Sequence, residues 1–224
     1  MALSDIDLTQ VKYYDLNNEV NIPKDGKIQL DKDQAALKDF IENNVKPNTK
    51  QFASVTARYK WLEDNDYIED GFMDKYSDAF IEKLYDYLKQ QNFHFHSFMA
   101  AYKFYAQYAL RINDKEYYLE NYIDRVAMNA LYLANGDEEL AMILADEIIH
   151  QRYQPATPTF LNVGRKRRGE FVSCFAIQPT DNMNTIGRTI NSALQLSKIG
   201  GGVGINLSNL REAGAPIKKI ENAA

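Results

Sequence analysis

Several groups of residues in this sequence have the types and spacing to do chemistry. The first is a lone thiol, Cys174. One cysteine can form neither an internal disulfide nor a thiolate metal cluster, so a redox role requires a second thiol from outside this stretch. The commoner fate of such a residue is a buried, inert one. The second is the run Gly200–Gly201–Gly202–Val203–Gly204. It either lets a ligand approach the backbone or caps a helix and turns the chain, and it matches neither a dinucleotide fingerprint nor a phosphate loop. Third, Thr157, Ser173 and the basic run Arg165–Lys166–Arg167–Arg168 offer hydroxyls, N–H groups and cations to a phosphate, although such a run is usually a solvated surface. The fourth is Glu147 and His150, spaced as half of a helical di-iron site. The two other histidines, His94 and His96, have no glutamate three residues before them, and an HxH pair without a third ligand is weak, so no metal site is expected. The 15 tyrosines fall mostly at helical spacing and read as amphipathic core or rim residues.

The elements that would position these groups change character along the chain. Residues 1–30 read as irregular, with a turn at Pro23–Gly26. Asp33 opens a helical pattern that Pro47 ends, and a second helix is expected from about Thr49 to Asp64. Ser77 or Asp78 caps a third, with Phe80, Ile81, Leu84, Tyr85 and Leu88 forming its buried stripe. Two further helices are expected over Ser97–Ile112 and Glu116–Ala134, the latter stopped by Asn135–Gly136. Asp137 caps another, running to about Tyr153. Residues 1–153 thus read as a mainly α domain. After Pro155 and Pro158, the PTFLNVG segment reads as a loop. A strand over about Glu170–Ile177, a turn at Pro179–Asn182, a helix over Asn184–Ile199 and a glycine-rich entry to a second strand then form a βαβ unit over 154–224.

Composition sets broad limits. Of 224 residues, 45% are hydrophobic and 25% charged, as in ordinary globular chains. No apolar run approaches the roughly 18–20 residues of a membrane span, and MALSDIDLTQ has no basic-then-apolar start, so a cytoplasmic protein with no membrane partner is expected. From Gln151 onward ten basic side chains face four acidic ones, in a chain of net charge −5. An anionic ligand would therefore favour the later part. One short basic run on an acidic chain argues against nucleic-acid binding.

Two segments carry a resemblance in combination. QPATPTFLNVGRKRRGEFVSCF at 154–175 and LSKIGGGVGINLSNLR at 196–211 resemble the substrate-loop and strand segments of class Ib ribonucleotide reductase large subunits. SFMAAYKFYAQYAL at 97–110 and YLANGD at 132–137 are similar to the same family. The resemblance implies the opening βαβ elements of a ten-stranded α/β barrel behind the helical domain. It implies radical-dependent reduction of ribonucleoside diphosphates to deoxyribonucleotides. Cys174 then matches one thiol of the reducing pair, and Thr157, Ser173 and Gly202 match substrate contacts. Asp181 and Arg211, with Ile217 and Lys218 in the following loop, match a specificity site for a deoxynucleotide or ATP.

No cofactor is expected within this stretch. The radical would come from a metal-containing small subunit, and the other implied partners are a second large subunit and a glutaredoxin-like thiol reductant. Only about 173 residues precede Cys174, which fits the shorter class Ib pattern without a full ATP cone. The thiyl cysteine and second reducing cysteine belong to later segments of the family. The chain is therefore expected to be a piece, through a split gene, an intron, an intein or a truncation, inactive until a complementary C-terminal polypeptide joins it. The alternative reading is a non-catalytic helical module that binds a nucleotide or a partner.

Overall fold

The computed structural model describes residues 12–112 and 117–223. The chain forms two compact units, Met1–Arg168 and Gly169–Ala224. The division falls fifteen residues beyond the change of pattern expected at 153–154, because Thr157–Asn162 folds as a helix that packs on the first unit.

The first unit is helical. Its described helices are α1 Tyr13–Glu19, α2 Leu30–Asp39, α3 Val55–Asp64, α4 Asp78–Gln90, α5 Phe98–Lys103, α6 Tyr122–Ala134, α7 Glu138–Ile149 and α8 Thr157–Asn162. Side-chain caps fix most starts. Ser54, Ser77, Ser97 and Asp137 each accept from a backbone N–H three residues on, and Asn121 with Asp124 closes a reciprocal capping box. At the end of α6, Asn135 adopts the left-handed conformation at φ 49° and Gly136 follows at φ 99°. Helix α6 is buried on nearly all sides, packs against α4, α7 and α8, and forms the centre of the core.

Several boundaries differ from the expectation. Residues 1–11 and Glu116 lie outside the described residues, but within the irregular stretch expected over 1–30 a short helix, α1, forms. Helix α2 begins three residues before Asp33 and continues as a π-helical turn over Phe40–Val45, then a 3₁₀ turn over Lys46–Asn48. Helix α3 starts at Val55 because Ser54 caps it, leaving Phe52 outside to pack on Trp61. Helix α5 passes into a π-helical turn over Phe104–Tyr108 and stops short of Ile112. Tyr118 lies in extended backbone, bridged to Thr49 and Arg111, so α6 begins only at its Asn121 cap. Helix α7 ends at Ile149, and Gln151 takes φ 59°. The expected PTFLNVG loop is α8, with Pro158 in its first turn, where its missing N–H costs nothing.

A buried charge cluster ties this unit together. Glu120 is 1% exposed. Its carboxylate accepts the Leu110 N–H at 3.0 Å and lies 3.5 Å from Arg125 and 3.7 Å from both Arg58 and Arg165. Arg58 also donates to the Leu119 carbonyl at 3.1 Å and lies 3.6 Å from Asp124. Arg125 donates to the Val163 carbonyl, and Arg165 to that of Tyr108. Burial alone would raise the Glu120 carboxyl, but Arg125, Arg165 and Arg58 outweigh it and hold the group below its usual range.

The second unit is small. Strands β1 (Cys174–Ile177) and β2 (Gly202–Ile205) pair in parallel, joined by α9 (Met183–Lys198), which Asn182 caps. This is the expected βαβ order. The first strand is shorter than expected, starting at Cys174 and not Glu170.

A carboxylate held low in the folded state stabilises it at neutral pH, and that contribution is lost as pH falls from the unfolded value through the lower folded one. Glu120→Gln leaves two buried guanidinium groups and the half-buried one of Arg165 without their shared counter-charge. We expect it to cost about 3–5 kcal/mol in urea unfolding at pH 7, and the difference from the parent chain to shrink as the pH is lowered below the glutamate range.

Candidate functional site

Within the second unit, the βαβ topology brings the thiol and the glycine run side by side. The parallel register sets Cys174 opposite Gly202, and the Gly202 N–H donates to the Ser173 carbonyl at 2.6 Å. Cys174 is free and exposed, with its Sγ 3.9 Å from the Ser173 hydroxyl. Its thiol is thus exposed among the described residues, where a lone cysteine is more often buried.

The glycine run divides by role. Gly200 sits at φ 89° beyond α9 and donates to Ser197, while Gly201 donates to the Leu196 carbonyl, which closes the helix. A Cβ at Gly201 would lie 2.5 Å from the Phe175 ring and 2.8 Å from the Leu196 oxygen, so a side chain is excluded there by the fold itself. At Gly202, a Cβ would meet only the Ser173 oxygen, at 3.5 Å, an ordinary contact. Nothing internal demands glycine at 202, and the space over it stays open beside an exposed thiol and hydroxyl.

A second constellation lies further along the same unit. Asp181, in the turn before α9, accepts from Arg211 Nε at 2.7 Å. The same guanidinium reaches the Pro216 carbonyl at 3.5 Å. Ile217 then exchanges both backbone hydrogen bonds with Ile220 around Lys218 and Lys219, which take φ 49° and 69°. Two successive positive-φ residues make the tight turn of a two-residue hairpin. Asp181, Arg211, Ile217 and Lys218 are thus joined through one arginine and one turn.

Thr157 belongs to the helical unit. It opens α8, and its Oγ1 lies 3.0 Å from the Tyr108 hydroxyl. Tyr108 packs its ring edge-on against Phe160 and gives its carbonyl to Arg165. Sequence reasoning missed Tyr108, since its spacing is that of any amphipathic helix residue. The remaining chemical candidates have local partners. Glu147 is held by Arg152, His150 lies 3.0 Å from Asp146, and the rings of His94 and His96 contact one another. No described helix is long and apolar enough to cross a membrane.

Comparison with known proteins agrees with the order of a helical unit followed by the start of a barrel. Three family models match in order: ribonucleotide reductase N-terminal over residues 13–93, ribonucleotide reductase all-alpha domain over 94–168, and ribonucleotide reductase barrel domain over 172–224. The chain belongs to the ribonucleotide reductase large-subunit family. It is 47% identical over 212 residues to a ribonucleoside-diphosphate reductase subunit alpha of Bacillus subtilis, covering 95% of this chain and 30% of that protein. It is 50% identical over 210 residues to the subunit alpha of Mycoplasma genitalium, covering 94% and 29%. An alpha subunit of Bacillus phage SPbeta is 48% identical over 208 residues, covering 93% and 19%. The chain thus spans less than a third of the length of these relatives.

The division among the glycines gives a direct test. Gly201→Ala should strip hydrogen-exchange protection from the Phe175 and Ile177 amides, which face β2 in the parallel ladder, because the ring and the helix end must both move. Gly202→Ala should leave that protection unchanged within error.

Proposed function

We propose that this chain supplies part of the substrate site, one reducing thiol and half of an effector site to the alpha subunit of a class Ib ribonucleoside-diphosphate reductase. The observation that supports this most is the register that sets an exposed Cys174 beside Gly202 and Ser173. In this reading, the nucleoside diphosphate lies over Gly202, where a backbone without a side chain lets the ribose approach. The Ser173 hydroxyl holds one of its phosphate or ribose oxygens.

Cys174 delivers hydrogen at the 2′ position. The C2′–O bond breaks, the hydroxyl leaves as water, and the sulfur pairs with a second thiol of the full subunit. Two thiols thus lose two electrons and two protons to form one disulfide while the ribose carbon is reduced, and a glutaredoxin-like thiol donor resets the pair. A metal-containing small subunit provides the radical that starts the chemistry. Asp181 and Arg211 are already oriented toward each other, and they serve the ribose hydroxyl and phosphates of a deoxynucleotide or ATP, with Ile217 and Lys218 on the adjoining turn and a second alpha subunit across the interface. Effector and substrate affinity are then coupled as one shared free energy. In this reading the reaction belongs in the cytoplasm.

The test supplies residues 1–224 together with the rest of a reductase alpha subunit, joined or as a separate chain, and with the small subunit. Nucleoside diphosphate reduction should appear only in the full mixture. Cys174→Ser should abolish sustained turnover, and undiminished turnover in that variant would rule out the redox role. Arg211→Ala should flatten the response to added deoxynucleotide, while basal turnover without effector persists.

A further inference from the structure

The basic run Arg165–Arg168 is split by its backbone. Residues 164–166 pair with 67–69 as a short antiparallel ladder: Glu69 N–H donates to Gly164 at 3.0 Å, Lys166 N–H to Tyr67 at 3.2 Å, and Ile68 bridges Arg165. Lys166 and Arg168 take the acidic side, with Lys166 Nζ 2.7 Å from both Asp66 and Asp70 and Arg168 Nε 2.8 Å from Glu69. Arg165 and Arg167 line a half-open cavity of about 530 Å³ on the helical unit, together with Arg111, Asn65, Asp66 and Tyr67.

Among the described residues, the positive charge lining this cavity exceeds the negative charge that neutralises it. Asp66, the acidic lining residue, is already held by Lys166. Arg111 gives one nitrogen to the Ala106 carbonyl at 2.8 Å, and neither it nor Arg167 forms an ion pair among the described residues. Arg165 shares Glu120 with Arg58 and Arg125, and its buried Nε has no hydrogen-bond partner. Burial, opposed by Glu120 and reinforced by the nearby Arg125 and Arg111, lowers the Arg165 guanidinium to about 10. An added anion would relieve that penalty.

We propose that Arg111, Arg165 and Arg167 form a binding site for a phosphate-type oxyanion. Three arginines line one polar cleft, and planar guanidinium groups suit the bidentate geometry of phosphoryl oxygens, which a set of lysines would meet only as point charges. The site uses none of the residues assigned above to substrate or effector. It therefore stands or falls independently of the reductase reading.

The experiment is a calorimetric titration of the 224-residue chain with inorganic pyrophosphate at low ionic strength. A saturable one-site isotherm is expected. Arg111→Gln and Arg167→Gln should each weaken it about tenfold, one charge-assisted contact's worth. Lys198→Gln on α9, which removes the same charge from the second unit, should not change it. If Arg111→Gln lowers the unfolding midpoint, the exposed Arg167 decides alone. Absence of saturable binding at millimolar pyrophosphate overturns the proposal, as does an affinity that Arg167→Gln leaves unchanged or that Lys198→Gln weakens equally.

Discussion

The helical unit is organised around one carboxylate that cannot reach water. An ionised glutamate in a protein interior is tolerated only when charges and hydrogen bonds surround it, so Glu120 obliges distant segments to meet at one place. Arg58 comes from α3, Arg125 from α6 and Arg165 from the stretch after α8, while Leu110 arrives from beyond the π-helical turn. The arginines then pass the constraint outward. Arg125 fixes the Val163 carbonyl at the end of α8, and Arg165 fixes Tyr108, whose hydroxyl meets Thr157. The position of the threonine that opens α8 is therefore set by buried electrostatics some distance from it. Contacts of 3.5–3.7 Å between the charges are too long for good hydrogen bonds, so the cluster acts through Coulomb attraction in a poorly screened interior.

What the sequence made legible follows the range of the interactions involved. Ser77, Asn135 and Asp137 were readable as helix ends because a cap is settled within three or four residues. The turns at 40–45 and 104–108 were not, because a search at 3.6 residues per turn carries a helix straight through a widened turn. Helix α8 was hidden by two prolines read as breakers, although one of them occupies the first turn, where proline is welcome. The extended pairing of Tyr118 with Thr49 and Arg111 left no local mark at all. Arg58, Glu120 and Arg125 have the composition of a solvated helix face, and only the tertiary fold shows them buried.

The candidate site shows the same contrast within five residues. As a string, Gly200–Gly204 admits both a helix stop and a ligand cradle, and the two readings compete. The structure assigns them to different glycines: 200 and 201 end α9 and clear the Phe175 ring, whereas 202 has open space. Its neighbour Cys174 lies 28 positions away in sequence, and their meeting depends on the parallel register that α9 enforces. Spacing could not reveal that juxtaposition. The family resemblance supplied it, and the βαβ geometry gives it a physical form.

The two units differ in how much stability they hold for themselves. The helical unit has a closed core of fully buried leucines, aromatics and alanines around α6. In the second unit, α9 buries no residue, and Ile190, Leu194, Ile199, Ile205 and Leu207 are all exposed. Parallel strands are normally covered on both faces, and among the described residues these apolar side chains have no such cover. Its order is local: a Ser173–Gly202 backbone bond, the Asp181–Arg211 pair and the turn at 217–220. Those are also the residues assigned to chemistry and effector binding. Apolar cover over α9 and the strand edges would therefore stabilise this unit and, with it, the register that sets Cys174 opposite Gly202.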